Sequence, residues 1–226
     1  MRRNLALVVL VQLMVCGMSC DDSGGGGGSP EPILVDAQVY LDGSNITVIV
    51  SVKDDAGSFP VTGALVMANG QVLGYDVGNE DYRVSGVSLI AAGDPVLVTV
   101  EQGERAVSGS LTMPDPVSVT APNTAGSPYN ATVPIVVQWT ALSPAPDKVS
   151  IAALSFLTVS GDFWESTVDG ALTQTIIPAD TLITTSTAFT LLAAAYNELT
   201  SLSGDAASGS GMTVANLSES EPITTQ

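Results

Sequence analysis

The residues able to do chemistry are few in kind. The chain has 226 residues, with 23 Asp+Glu, 6 Lys+Arg and no His. Without histidine there is no Ser-His-Asp or Cys-His constellation and no imidazole metal ligand. Nor is there a side chain whose ordinary pKa lies near neutrality. Thiol chemistry is confined to Cys16 and Cys20, both close to the N-terminus. The carboxylates gather at Asp54-Asp55 and at Asp76 with Glu80-Asp81. Calcium needs several oxygens converging on one point, and no Asp-x-Asp-x-Asp-Gly loop is present. Asp and Asn bond readily to their own backbone, so these clusters are expected to be turns. Glycoside hydrolysis needs two carboxyls about 5–10 Å apart across a cleft, and nothing in the sequence marks one pair among the acids. Two aromatic sites remain. Phe163-Trp164 follows Gly161-Asp162 and is a candidate ligand patch if both rings are exposed; the other reading has them cap an open end of the fold. Trp139 lies within an apolar run and is expected in a core. No catalytic residue, metal ligand or cofactor site is identified, and the chain is expected not to be an enzyme.

The charge narrows the partners. The six basic residues are Arg2, Arg3, Lys53, Arg83, Arg105 and Lys148, and the formal net charge is −17. From Cys20 onward, four basic against 23 acidic residues leave −19. Phosphate binding needs clustered Lys and Arg, so nucleic acid is excluded as a partner class.

The elements that must position these residues read as short strands. Ile33 to Tyr40 and Ile46 to Val52 flank the turn Asp42-Gly43-Ser44-Asn45. Ala64 to Ala68 and Gln71 to Tyr75 flank Asn69-Gly70, a strong hairpin signal because both central residues need positive φ. Val96 to Val100 and Ala106 to Thr112 flank Glu101-Gln102-Gly103-Glu104. Strands of this length, with turns every ~8–12 residues, predict a β-sandwich or barrel. The Pro/Gly/Ser-rich stretch Pro122 to Pro128 divides the chain near its middle.

The N-terminus has the layout of an export signal. Met1-Arg2-Arg3-Asn4 is followed by an apolar run from Leu5 to Met18, broken only by Gln12. That run is short of the ~20 residues needed for a membrane-spanning helix. Gly17-Met18-Ser19-Cys20 resembles a lipobox, the site at which bacterial lipoproteins are cut before a cysteine that becomes lipidated. Gly17 departs from the usual Leu or Val. Leu13-Met14-Val15-Cys16 supplies the leucine but places Val15 at the cut, so Cys20 is preferred and Cys16 is the alternative. Asp21-Asp22-Ser23 and Gly24 to Gly28 then make a flexible tether. The resemblance implies acyl chains on Cys20, commonly three, and membrane attachment through them. Localisation is then the cell envelope, with the outer membrane or cell surface favoured and the inner membrane as the alternative.

The second half resembles a fibronectin type III-like or Ig-like module. Ile135-Val136-Val137-Gln138-Trp139 is similar to that family's second strand with its core tryptophan. Lys148 to Leu154 follows as the next strand, Leu172 to Ile177 as a later one, and Phe189 to Asn197 as the sixth. Helix propensity competes for Leu191 to Ala195, but Thr187, Phe189 and Thr190 favour a strand. Ser210 to Val214 would close the sheet. The first half resembles an Ig-like sandwich by pattern. The expected organisation is an all-β chain: signal peptide 1–19, lipidated Cys20 and tether 20–32, Ig-like sandwich 33–121, linker 122–132, fibronectin type III-like sandwich 133–218, and disordered tail 219–226. The expected function is a lipid-anchored, non-catalytic structural or protein-interaction module. A surface glycan- or matrix-binding, adhesin-like protein is the alternative, and an accessory carboxylate-dependent hydrolase a third. Sequons at Asn45, Asn130 and Asn216 match the glycosylation pattern and are expected to be chance.

Overall fold

The computed structural model of the chain describes residues 31–87, 90–122, 129–130, 132–155, 163–182, 188–220 and 223–224. Every regular element among them is a strand. In the first half these are β1 (Leu34–Asp42), β2 (Asn45–Lys53), β3 (Leu65–Ala68), β4 (Gln71–Val72), β5 (Gly74–Asp76), β6 (Asp81–Val87), β7 (Pro95–Gln102) and β8 (Arg105–Thr112). Side chains alternate along β1 and β2, although Tyr40 on the other face of β1 is buried as well. Val35, Ala37, Val39 and Leu41 pair with Val52, Val50, Val48 and Ile46, and all eight are buried. The residues between them point the other way, as the two-residue period of a strand requires. Asn69-Gly70 forms the predicted hairpin with φ of 46° and 80°, the left-handed pair that fits the twist of the strands it joins.

Two sheets result, in the orders β1-β2-β6-β5 and β8-β7-β3-β4. This is the strand order of an Ig-type sandwich. Its core holds Val39, Val48, Val50, Val98, Val100 and Met113.

The second half contains β9 (Val119–Ala121), β10 (Ile135–Trp139), β11 (Lys148–Ser155), β12 (Phe163–Asp169), β13 (Gln174–Ile177), β14 (Ala188–Leu199), β15 (Ser203–Gly204), β16 (Gly211–Glu219) and β17 (Ile223–Thr224). β9-β10-β13 form one sheet and β12-β11-β14-β16 lie in another. That is a seven-strand sandwich in the fibronectin type III arrangement, with Val137, Trp139, Ile151, Leu191 and Ala193 in its core. Leu191 to Ala195 is strand, as Thr190 and Phe189 favoured, because β14 is held on one side by β11 and on the other by β16.

The two halves are fused. β16 runs parallel to β1 over the register Asp36↔Gly211 to Asp42↔Leu217, which joins the two larger sheets into one nine-stranded sheet. Met212 and Val214 of β16 belong to the first core, and β15 adds to the edge of β8. Residues late in the chain therefore complete the first sandwich. Through the paired positions, the inward residues of β1, β16 and β14 share one face, so both smaller sheets cover the same side of the long sheet.

The chain crosses between the halves at Met113 to Val117, ahead of 122–132, where composition placed the linker; most of that stretch lies outside the described residues. Met113 is buried in the first core and Val117 in the second. Three side chains of the long sheet hold the crossing. Asn197 donates to Thr112 O at 2.8 Å, Asn216 to Pro114 O at 2.9 Å and Ser218 to Val117 O at 2.8 Å. Pro114 and Pro116 have no N–H to give a ladder, and the carbonyls of Pro114 and Val117 are satisfied by these side chains rather than by a neighbouring strand. β9 accordingly belongs to the second sandwich. The tail, expected to be disordered over 219–226, is instead anchored at Ile223–Thr224. Ile223 is buried in the second core and pairs with Phe189, so its side-chain burial outweighs the polar residues around it.

Candidate interaction surfaces

The face of the long sheet that points away from both cores carries side chains from both halves. On β1 these are Asp36, Gln38 and Tyr40, on β14 Tyr196 and Glu198, and on β11 and β12 Lys148, Ser150, Glu165 and Thr167. They are bonded to one another. Tyr40 donates to Gln38 Oε1 at 2.7 Å, and Gln38 donates to Asp36 Oδ2 at 3.2 Å. Burial pushes the Asp36 carboxyl above its usual range, while the bond from Gln38 and the charge of Lys53 pull the other way. Lys148 meets Glu198 at 2.8 Å and sits 5.9 Å from the centre of the Tyr196 ring. The bond to Glu198 raises the lysine pKa, and burial raises that of Tyr196. Ser150 donates to Glu165 at 3.0 Å. These groups satisfy each other, which leaves them a structural task rather than a free binding one.

Phe163 and Trp164 lie on β12, at the edge of the long sheet, opposite Leu154 and Ala153. Successive strand residues face opposite ways. Phe163 is exposed, whereas Trp164 packs against the second core. The two rings do not form one platform. Trp139 is buried at 4% exposure, as a core tryptophan.

The acidic clusters flank turns, with Asp54 ahead of one and Asp76 and Asp81 at the ends of β5 and β6 on either side of another. Asp54 Oδ1 accepts from Ser58 N at 2.7 Å and Phe59 N at 3.1 Å. Asp76 accepts from Gly78 N at 2.8 Å and from the Asn79 side chain at 2.8 Å, and these bonds hold its carboxyl below the usual range. Arg83 bonds Asp81 through two nitrogens, at 2.7 and 2.5 Å. Among the described residues no group of three or more Cys, Asp or Glu is placed to hold a metal ion. Of the sequons, Asn45 and Asn130 are exposed, whereas Asn216 is buried with its amide committed to Pro114. Cys16 and Cys20 lie outside the described residues.

An apolar pair stands where sequence reading had marked nothing. Val136 of β10 and Ile176 of β13 are directly paired and are 43% and 52% exposed, with Val133 and Leu172 also exposed in the same half. The signal was present in Ile135-Val136-Val137-Gln138-Trp139. Alternation sends Ile135, Val137 and Trp139 inward, which leaves a valine facing out.

No family model matches the sequence, and no curated protein matches it. Among solved structures, chicken CNTN1 domains FN1–FN3 align at 11% identity over 87% of this chain and 69% of that one, with a TM-score of 0.31. A two-domain fibronectin type III segment of chicken tenascin aligns at 12% identity over 84% of this chain and 100% of that one, with a TM-score of 0.27. Likeness at these scores carries no weight for how the halves are arranged. The class of the protein, an all-β chain of Ig-like and fibronectin type III-like sandwiches, is defined by its own strand order.

Proposed function

We propose that this chain is a bacterial lipoprotein: a cell-envelope module anchored through acyl chains on Cys20, structural or protein-binding, and without catalytic activity. The observation that carries the reading is the order of parts in the sequence. A basic start and an apolar run lead to Cys20, a glycine run follows, and the folded unit begins within a few residues of its end. The lone cysteine left after removal of 1–19 has no partner with which to form a disulfide, and acylation gives it a use. The exposed Val136–Ile176 pair offers a protein partner an apolar contact of the kind that sits at the centre of interfaces. The self-satisfied polar network and the turn-bound acids support a non-catalytic role.

Mass spectrometry of the N-terminal peptide from detergent-extracted protein tests this. Acylated Cys20 is the expected result, and Cys20→Ser should release the protein from membranes. A soluble protein with an unmodified Cys20 would overturn the anchor. The second reading, a surface glycan or matrix binder, rests on exposed Phe163 alone. Protease treatment of intact cells separates the two addresses: digestion places the sandwiches on the surface, and protection until lysis sinks the adhesin reading.

A further inference from the structure

The proposed anchor enters the fold at β1, and the chain leaves it through β16. β1 and β16 are neighbours in one sheet and run parallel over seven paired positions. In a parallel pair, the N-terminal end of one strand and the C-terminal end of the other lie at opposite ends of the ladder. Tension applied at those two points acts along the strands. It loads all the rungs together, whereas tension across the strands opens rungs one at a time. β1 is held on its other side too, by nine paired positions with β2. Where the load arrives, further bonds fasten the chain. Ile33 N donates to Asp205 O at 3.0 Å, Ala207 N to Ile33 O at 2.8 Å and Val35 N to Ser210 Oγ at 3.0 Å. On the far side, β17 runs in the same direction as β16 and adds two paired positions on β14.

We infer that the parallel β1–β16 ladder makes this chain a tension-bearing spacer, which transmits pull between its N-terminal tether and a load on the C-terminal side of β16 while shielding both sandwiches from unfolding. The shielding follows from topology. Until the ladder shears, the crossing at Met113–Val117 carries little of the force, so neither sandwich is stretched between its own ends. The anchoring reading enters only in saying where the load is applied in cells. The ladder's resistance can be read whether or not Cys20 is acylated, so the two ideas fail separately.

The test is single-molecule pulling on the chain from Cys20 to Gln226, using the Cys20 thiol, the only one in that chain, and a handle beyond Gln226. The comparison is Cys20→Ser with Ser44→Cys, which moves the attachment to the exposed β1–β2 turn, beside the Asp42↔Leu217 end of the ladder. Matching circular dichroism and melting curves confirm that the variant folds. At equal pulling speed the first rupture from Cys20 should need at least about twofold more force than from Ser44, because forced unfolding is governed by the barrier along the pulled direction. That first rupture should also precede, and exceed in force, any unfolding of a single sandwich. Equal forces in the two geometries, or two sandwich-sized events with no earlier barrier, would overturn the inference.

Discussion

The backbone amide of Val35 donates to the Ser210 hydroxyl at 3.0 Å, across 175 positions of sequence. Ser210 is buried, and it lies just ahead of the strand that closes both sandwiches. Ser210→Ala leaves a buried amide without its acceptor, which typically costs about 1–3 kcal/mol. Urea denaturation should show that loss as a lower midpoint with an unchanged slope. An unchanged midpoint would mean that Val35 is satisfied by another group.

Met212 is contributed by the second half to the core of the first. Met212→Ala should cost about 2–5 kcal/mol, the range for a buried large-to-small change. The position of the damage is the sharper readout. Amide hydrogen exchange should accelerate in β1, β2 and β8 at least as much as in β14. Acceleration confined to residues 129–224 would mean that the first sandwich does not depend on β16.

Asp36 has a carboxyl whose pKa is raised in the folded chain, chiefly by burial. The sign follows from proton uptake. Between its ordinary value of 3.8 and the raised one, the folded state binds more protons than the unfolded state, so this group's contribution to stability falls as pH rises through that window. Asp36→Asn keeps an oxygen to accept from Gln38 and removes the charge. The variant should be more stable than the parent at neutral pH and should converge with it below pH 3.8. Parallel stability curves for the two proteins between acid and neutral pH would refute the assignment.

Two glycines with positive φ should respond differently to alanine. Gly70 has φ of 80° in the Asn69-Gly70 turn, and a Cβ there would meet no atom within 4 Å. Gly70→Ala should therefore cost only the backbone preference, about 1–2 kcal/mol. Gly204 has φ of 88°, and a Cβ there would lie 2.0 Å from Ala106 O. Gly204→Ala must move β15 off β8, so its thermal unfolding midpoint should drop well below that of Gly70→Ala. Equal melting temperatures would show that β15 contributes nothing to the first sandwich.

Local chemistry made much of this fold readable. Asn69-Gly70 announces its hairpin because few other pairs accept two positive φ values. Val48, Val50 and Val52 announce a half-buried strand because alternation leaves only one face for a core. Trp139 is legible for the same reason. The fusion of the halves left no local trace. β16 alternates like any other strand, and nothing in Met212-Thr213-Val214 says that its neighbour is β1 rather than a strand of its own half. Composition points to 122–128 because proline, glycine and serine cluster there, whereas Met113–Val117 has apolar residues at both ends. The real crossing is held by Asn216 on the Pro114 carbonyl and Ser218 on the Val117 carbonyl, partners that meet only in three dimensions. Phe163-Trp164 looked like one surface because the residues adjoin in sequence, and a strand separates adjoining residues onto opposite faces. Ile223 was hidden by its polar neighbours.

The pairing of β1 with β16 also sets a schedule. A chain that emerges from its N-terminus presents Gly211 to Leu217 about 175 positions after β1. Through that interval the first sandwich lacks Met212, Val214 and the strand that flanks β1. It can collapse but cannot reach its final packing. Pairings so distant in sequence slow folding, because the intervening loop must be closed before they yield any stabilisation. The first sandwich therefore sets only once residues from the far half of the chain have folded back onto β1.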